Sequence, residues 1–132
     1  MAIHPVEPAI LYAGTDDRGE DALFRSVDGG ATWSESIKTT GIIKTTGIVI
    51  IAVVIDPNAP ETVYAANENG EILRSTDGGA TWSREKGSSL FRRPMSLLLV
   101  TDPAQPPAIY VGTSISGVWR LAIDKVRWAP YP

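Results

Sequence analysis

The chain has no cysteine among its 132 residues. That excludes disulfides, thiolate metal sites and a cysteine nucleophile, and it leaves the redox compartment unassigned. Histidine occurs once, as His4, so a single chain supplies neither a Ser-His-Asp triad nor a histidine metal cluster. A metal at His4 would require ligands shared across an oligomer axis, and no other metal or cofactor is expected. Long apolar runs are also missing. The longest, Ile48 to Ile55, has eight residues where a membrane span needs roughly 20, so it reads as a buried strand and no membrane partner is expected. The opening Met-Ala-Ile-His-Pro has no basic start and no apolar h-region, so no secretory leader is read there and localisation stays unassigned. Excess positive charge is absent too: the net charge is −3, which argues against a nucleic-acid partner. No stretch sustains a 3.6-residue apolar period with caps, so little or no helix is expected.

What the sequence does have is an internal repeat. Ile3-His4-Pro5, Pro8 and Leu11-Tyr12-Ala13 recur without a gap 52 positions on as Ile55-Asp56-Pro57, Pro60 and Val63-Tyr64-Ala65. They recur again 46 positions further on as Asp102-Pro103, Pro106 and Ile109-Tyr110-Val111. Leu23-Phe24-Arg25, Ile72-Leu73-Arg74 and Val118-Trp119-Arg120 correspond, and each arginine is followed eight positions later by Trp33, Trp82 or Trp128. Units of this length have the size of a four-stranded propeller blade. The fold class expected is therefore all-β: a partial β-propeller of three antiparallel blades over residues 1–35, 48–84 and 95–132. Val49 to Ile55 and Ser96 to Thr101 are near-continuous apolar runs, as suits inner strands covered on both faces. Only three residues precede the His4-Pro5 turn, so the first blade is read as truncated and the chain as holding about eleven and a half strands.

Two units carry the same turn 49 residues apart: Ser26-Val27-Asp28-Gly29-Gly30-Ala31-Thr32-Trp33 and Ser75-Thr76-Asp77-Gly78-Gly79-Ala80-Thr81-Trp82. Asp28 and Asp77 can accept hydrogen bonds from backbone N–H groups of their own turn. The glycines, Gly30 and Gly79 among them, permit positive φ at the reversal. Thr32 and Thr81 suit an extended bridge position, and Trp33 and Trp82 offer apolar surface to the seam between blades. One carboxylate with two glycines supplies too few oxygens for calcium. The pattern Ser-x-Asp-x-Gly-x-Thr-Trp resembles the Asp-box (BNR) repeat of sialidases, some glycoside hydrolases, sortilin-type receptors and the photosystem assembly factor family. The third unit keeps the tryptophan but lacks the Asp-Gly-Gly turn, as terminal repeats often do.

In a four-stranded meander, loops alternate between two ends. The aspartate turns share an end with the His4-Pro5, Asp56-Pro57 and Asp102-Pro103 loops. The resemblance implies a ligand site at the opposite end, around the channel mouth. Binding candidates there are Asn67, Asn69, Lys38 and Lys44, for a glycan, peptide or protein ligand. Phe91-Arg92-Arg93-Pro94 is similar to the sialidase segment whose arginine holds the substrate carboxylate. It departs from that segment in having Arg93 where an isoleucine stands and in following both aspartate turns. A hydrolase completed only on oligomerisation is the alternative, with Arg92 or Arg93 holding an anion and Asp16, Asp17 or Glu68 as acid or base. The hexapeptide Ile37-Lys-Thr-Thr-Gly-Ile42 is duplicated as Ile43–Ile48, an even shift that preserves side-chain alternation; it reads as a lengthened inter-blade loop, with an edge or arm used in assembly as the alternative.

Three blades leave two apolar side faces and open strand edges, which proteins in water cover. A homodimer closing a six-bladed ring is the simplest remedy expected. The segment Val126 to Pro132 is a candidate to supply or cover the missing inner strand of a partner copy.

Overall fold

The computed structural model describes residues 1–15, 23–37, 49–85, 97–102, 108–114, 117–122 and 127–130. These form twelve strands in three four-stranded antiparallel sheets, with no helix among the described residues. The first sheet is β1 (Ala2–Ile3), β2 (Leu11–Gly14), β3 (Leu23–Ser26) and β4 (Ser34–Glu35). The second is β5 (Ile50–Ile55), β6 (Val63–Asn67), β7 (Ile72–Ser75) and β8 (Ser83–Arg84). The third is β9 (Leu97–Asp102), β10 (Ala108–Thr113), β11 (Gly117–Ala122) and β12 (Arg127–Pro130). Each is a simple meander in sequence order. Antiparallel neighbours need only short turns, and the Gly- and Pro-rich connections of the sequence supply them.

The innermost strands differ in length. β5 and β9 each have six residues, whereas β1 has two, pairing Ala2 with Tyr12 and Ile3 with Leu11. Residues 127–130 pair with β11 as the outer strand of their own sheet, with Trp128 opposite Leu121.

The sheets stack face on face through two apolar cores. One holds Tyr12, Leu23 and Ile37 of the first unit against Val53, Ile55, Val63, Ala65 and Leu73 of the second. The other holds Tyr64, Ala66 and Ile72 of the second against Ile109 and Val111 of the third. β6 is buried along its whole length because both its faces meet a neighbour. Its alternate residues divide between the two cores, Val63 and Ala65 into one and Tyr64 and Ala66 into the other, as a period of two requires. Full burial of a residue such as Leu73 contributes about 1.5–3 kcal/mol.

Gly14 shows how closely the sheets approach. A Cβ there would lie 2.6 Å from the Ile50 carbonyl oxygen, which is backbone and cannot swing aside. The second sheet's inner strand therefore seats against the first only because Gly14 has no side chain.

Candidate functional site

The two aspartate turns are built alike, hydrogen bond for hydrogen bond. Ser75 Oγ donates to Asp77 Oδ1 (2.7 Å) and accepts from the Gly79 N–H (2.9 Å). Asp77 Oδ1 also accepts from the Thr81 N–H (2.8 Å), and Thr81 Oγ1 donates to Asp77 Oδ2. Ser26, Asp28, Gly30 and Thr32 repeat this set. The donors hold both carboxyls well below the usual range, at about 2, chiefly through the threonine hydroxyl and then its N–H. Gly78 and Gly79 have φ of 66° and 88°, and Gly29 and Gly30 have 71° and 92°, which side-chain-bearing residues rarely adopt. The threonines lie within the turn and serve the aspartate, not in the bridge position that their β-branching suggests. With their oxygens aimed into their own turns, the aspartates act as local scaffolding.

The second aspartate turn is also a docking element. Tyr12 Oη donates to the Gly78 carbonyl (2.8 Å), and Ser36 Oγ donates to the Gly79 carbonyl (2.9 Å), tying the first sheet to the second. Arg25 lies across the strand from Tyr12, its Nε donating to the tyrosine oxygen (3.3 Å) and its guanidinium over the ring. Arg74 sits over the Tyr64 ring in the same register. Burial raises both phenol pKa values. Trp82 Nε1 donates to the Gly79 carbonyl, and its ring packs on the core between the first two sheets. Trp33 makes the equivalent bond to Gly30 but is 41% exposed.

His4 caps the loop after β1: its Nδ1 accepts the N–H groups of Glu7 (2.9 Å) and Val6 (3.3 Å). Its repeat partner Asp56 does the same through Oδ1 and the Asn58 N–H. Among the described residues no three His, Asp or Glu side chains gather as a metal site.

At the opposite end, the turn from β6 to β7 is rigidly organised around Asn67. Its side chain is fully buried; Oδ1 accepts from the Asn69 and Glu71 N–H groups, and Nδ2 donates to Glu71 Oε2 (2.8 Å). Glu71 in turn pairs with Arg84 across the sheet at 3.0 Å. The Glu68 N–H reaches the Val49 carbonyl at the start of the inner strand. This frame presents an exposed Asn69 and a half-buried Glu68. Neither Glu71 nor Arg84 stands out in the sequence as a turn-building pair. Asp16, Asp17, Lys38, Lys44, Arg92 and Arg93 lie outside the described residues, as do the duplicated hexapeptide beyond Ile37 and the third unit's altered turn.

Three stacked meanders of this kind define part of a β-propeller. No protein-family model matches the chain, and no curated protein sequence does. Solved structures do. The GH74 enzyme of Niastella koreensis is 26% identical with a TM-score of 0.72, over 96% of this chain and 20% of that one. The GH74 xyloglucanase of Xanthomonas campestris is 21% identical with a TM-score of 0.65, over 98% and 22%. YCF48, solved bound to D1 peptide, is 20% identical with a TM-score of 0.61, over 95% and 41%. These neighbours are β-propellers. The chain spans about a fifth of the GH74 enzymes it matches.

Proposed function

We propose that this chain is a binding or scaffold module of the Asp-box type, working as part of an assembled ring and taking a glycan or peptide ligand at the channel mouth. The observation that carries this reading is the contrast between the two ends of the second sheet. At one end Asp77 spends its oxygens on its own turn. At the other, the buried Asn67 braces a hydrogen-bonded turn that presents an exposed Asn69 and a half-buried Glu68. Pre-set polar groups lose little freedom on binding. The likeness to YCF48 with its peptide and to GH74 enzymes supports both ligand classes without choosing between them.

The test is calorimetric titration of the chain with xyloglucan oligosaccharides and with a panel of extended peptides. Asn69→Ala and Lys44→Ala are expected to weaken binding about tenfold or more, the loss of one or two hydrogen bonds, one of them to a charged group. Asp28→Asn, at the far end, leaves it unchanged. A ligand held equally well by Asn69→Ala and Lys44→Ala would remove the channel-mouth site. Turnover of glycosides or esters that disappears in Arg92→Ala would favour the hydrolase reading instead.

A further inference from the structure

Repeat-equivalent residues differ in how far a neighbouring sheet covers them. The half of a junction that faces backward is seen in the second sheet, where Ile55, Val63, Leu73 and Trp82 pack on the first. Their repeat equivalents in the first sheet are Ile3, Leu11, Phe24 and Trp33. Ile55 is 7% exposed and Leu73 fully buried, whereas Ile3 is 58% and Trp33 41% exposed. The half that faces forward is seen in the first two sheets, where Tyr12 and Leu23, then Tyr64 and Ile72, are covered by the next sheet. Their equivalents in the third sheet are Tyr110 and Val118. Ile72 is fully buried and Val118 is 43% exposed, and Val100, the equivalent of Val54, is 48% exposed.

The polar latch repeats as well. Tyr110 faces Arg120 across β10 and β11 in the register of Tyr12 with Arg25 and of Tyr64 with Arg74. The acceptor that Tyr12 uses is the Gly78 carbonyl. Its equivalent, Gly29, has the same left-handed φ and the same N–H bond back to the preceding loop, to Ala9 where Gly78 bonds to Glu61.

We infer that two copies of this chain join head to tail, the third sheet of each covering the first sheet of the other, with Tyr110 Oη donating to the partner copy's Gly29 carbonyl. Each open face is the complement of the other, so a second copy covers both and closes a six-bladed ring. The contact is heterologous, one patch against a different patch, and is limited to two copies by closure. The inference rests on the reading of the chain as part of an assembled ring and adds which faces meet.

Light scattering on the 132-residue chain is the measurement, with far-UV circular dichroism on each variant to verify folding. The wild type is expected at twice 14.2 kDa. Ile3→Glu blocks one face and Val118→Glu the other, so each variant alone runs at the single mass. An equimolar mixture of the two recovers the doubled mass, because one good face remains on each. Tyr110→Phe removes the latch hydroxyl at both junctions of the ring and raises the dimer dissociation constant about thirtyfold. A dimer that survives both glutamates overturns the head-to-tail junction and the ring it closes. A mixture that stays at the single mass points to like faces pairing and overturns it too. A wild type at the single mass overturns junction and ring together, while ligand titration still reads the channel mouth separately.

Discussion

Tyr12 illustrates how much one side chain is asked to do at a sheet-to-sheet seam. Its ring fills the core, its hydroxyl donates across to Gly78, and Arg25 lies over it. Tyr12→Phe keeps the ring and leaves the Gly78 carbonyl without that donor, so a loss of about 1–2 kcal/mol is expected in urea unfolding. The aspartate turns make a pH prediction. Asp77 is held at about 2 against an ordinary 3.8, so its stabilising effect is complete above 3.8 and disappears as pH falls through about 2. The melting temperature of the wild type should fall between pH 4 and pH 2. In Asp77→Asn that fall should be smaller, the remainder coming from Asp28, which is held at about 2 in the same way. Glu85 behaves oppositely. Burial raises its pKa despite the attraction of Arg74, so its charged form costs stability as pH rises from the ordinary 4.5. Glu85→Gln should melt no higher than wild type at pH 4 and higher at pH 8.

Among elements, the informative contrast is between β1 and its longer counterparts β5 and β9. A two-residue strand pairs at only two positions and leaves the lower half of β2 without an inner neighbour. Seating of β5 against β2 then depends on close approach at Gly14. Gly14→Ala places a Cβ against the Ile50 carbonyl, and overpacking of this kind costs about 1–3 kcal/mol. Thermal melting of that variant against Gly117→Ala separates the two causes a glycine can have. Gly117 has φ of 76° with nothing near its missing Cβ, so its cost is conformational alone, about 1–2 kcal/mol.

The whole molecule behaves as a short stack in which each sheet depends on its neighbours, so repeat-equivalent substitutions should differ in cost. Ile72→Ala removes a fully buried side chain between the second and third sheets and should cost about 2–5 kcal/mol. Val118→Ala, at the equivalent position on the open face, should cost under about 1 kcal/mol in dilute chain. Its cost should grow with protein concentration as the junction forms. Equal costs at all concentrations would mean that the two faces do not play equivalent parts. Stability is therefore expected to be approximately a sum of sheet and junction contributions.

Much of this architecture was legible in one sequence because the repeat carries its own alignment. Matching Tyr12 with Tyr64 and Tyr110, and Arg25 with Arg74 and Arg120, places strands, turns and faces without any three-dimensional information. The period of two in β6 then decides which residues share a core. The candidate site was less legible. Asn67 looks like an available polar turn residue, yet its amide is consumed by Asn69 and Glu71, a matter of turn geometry that residue type does not encode. Thr32 and Thr81 read as strand residues, but the hydroxyl of each is claimed by an aspartate four residues back. Local pattern by itself determined the sheets, their order and the aspartate turns, since these depend on contacts near in sequence. Only the tertiary structure decided which equivalent residues are covered. Ile55 and Ile3 are the same residue in the same register, and they differ because one has a neighbouring sheet and the other faces water.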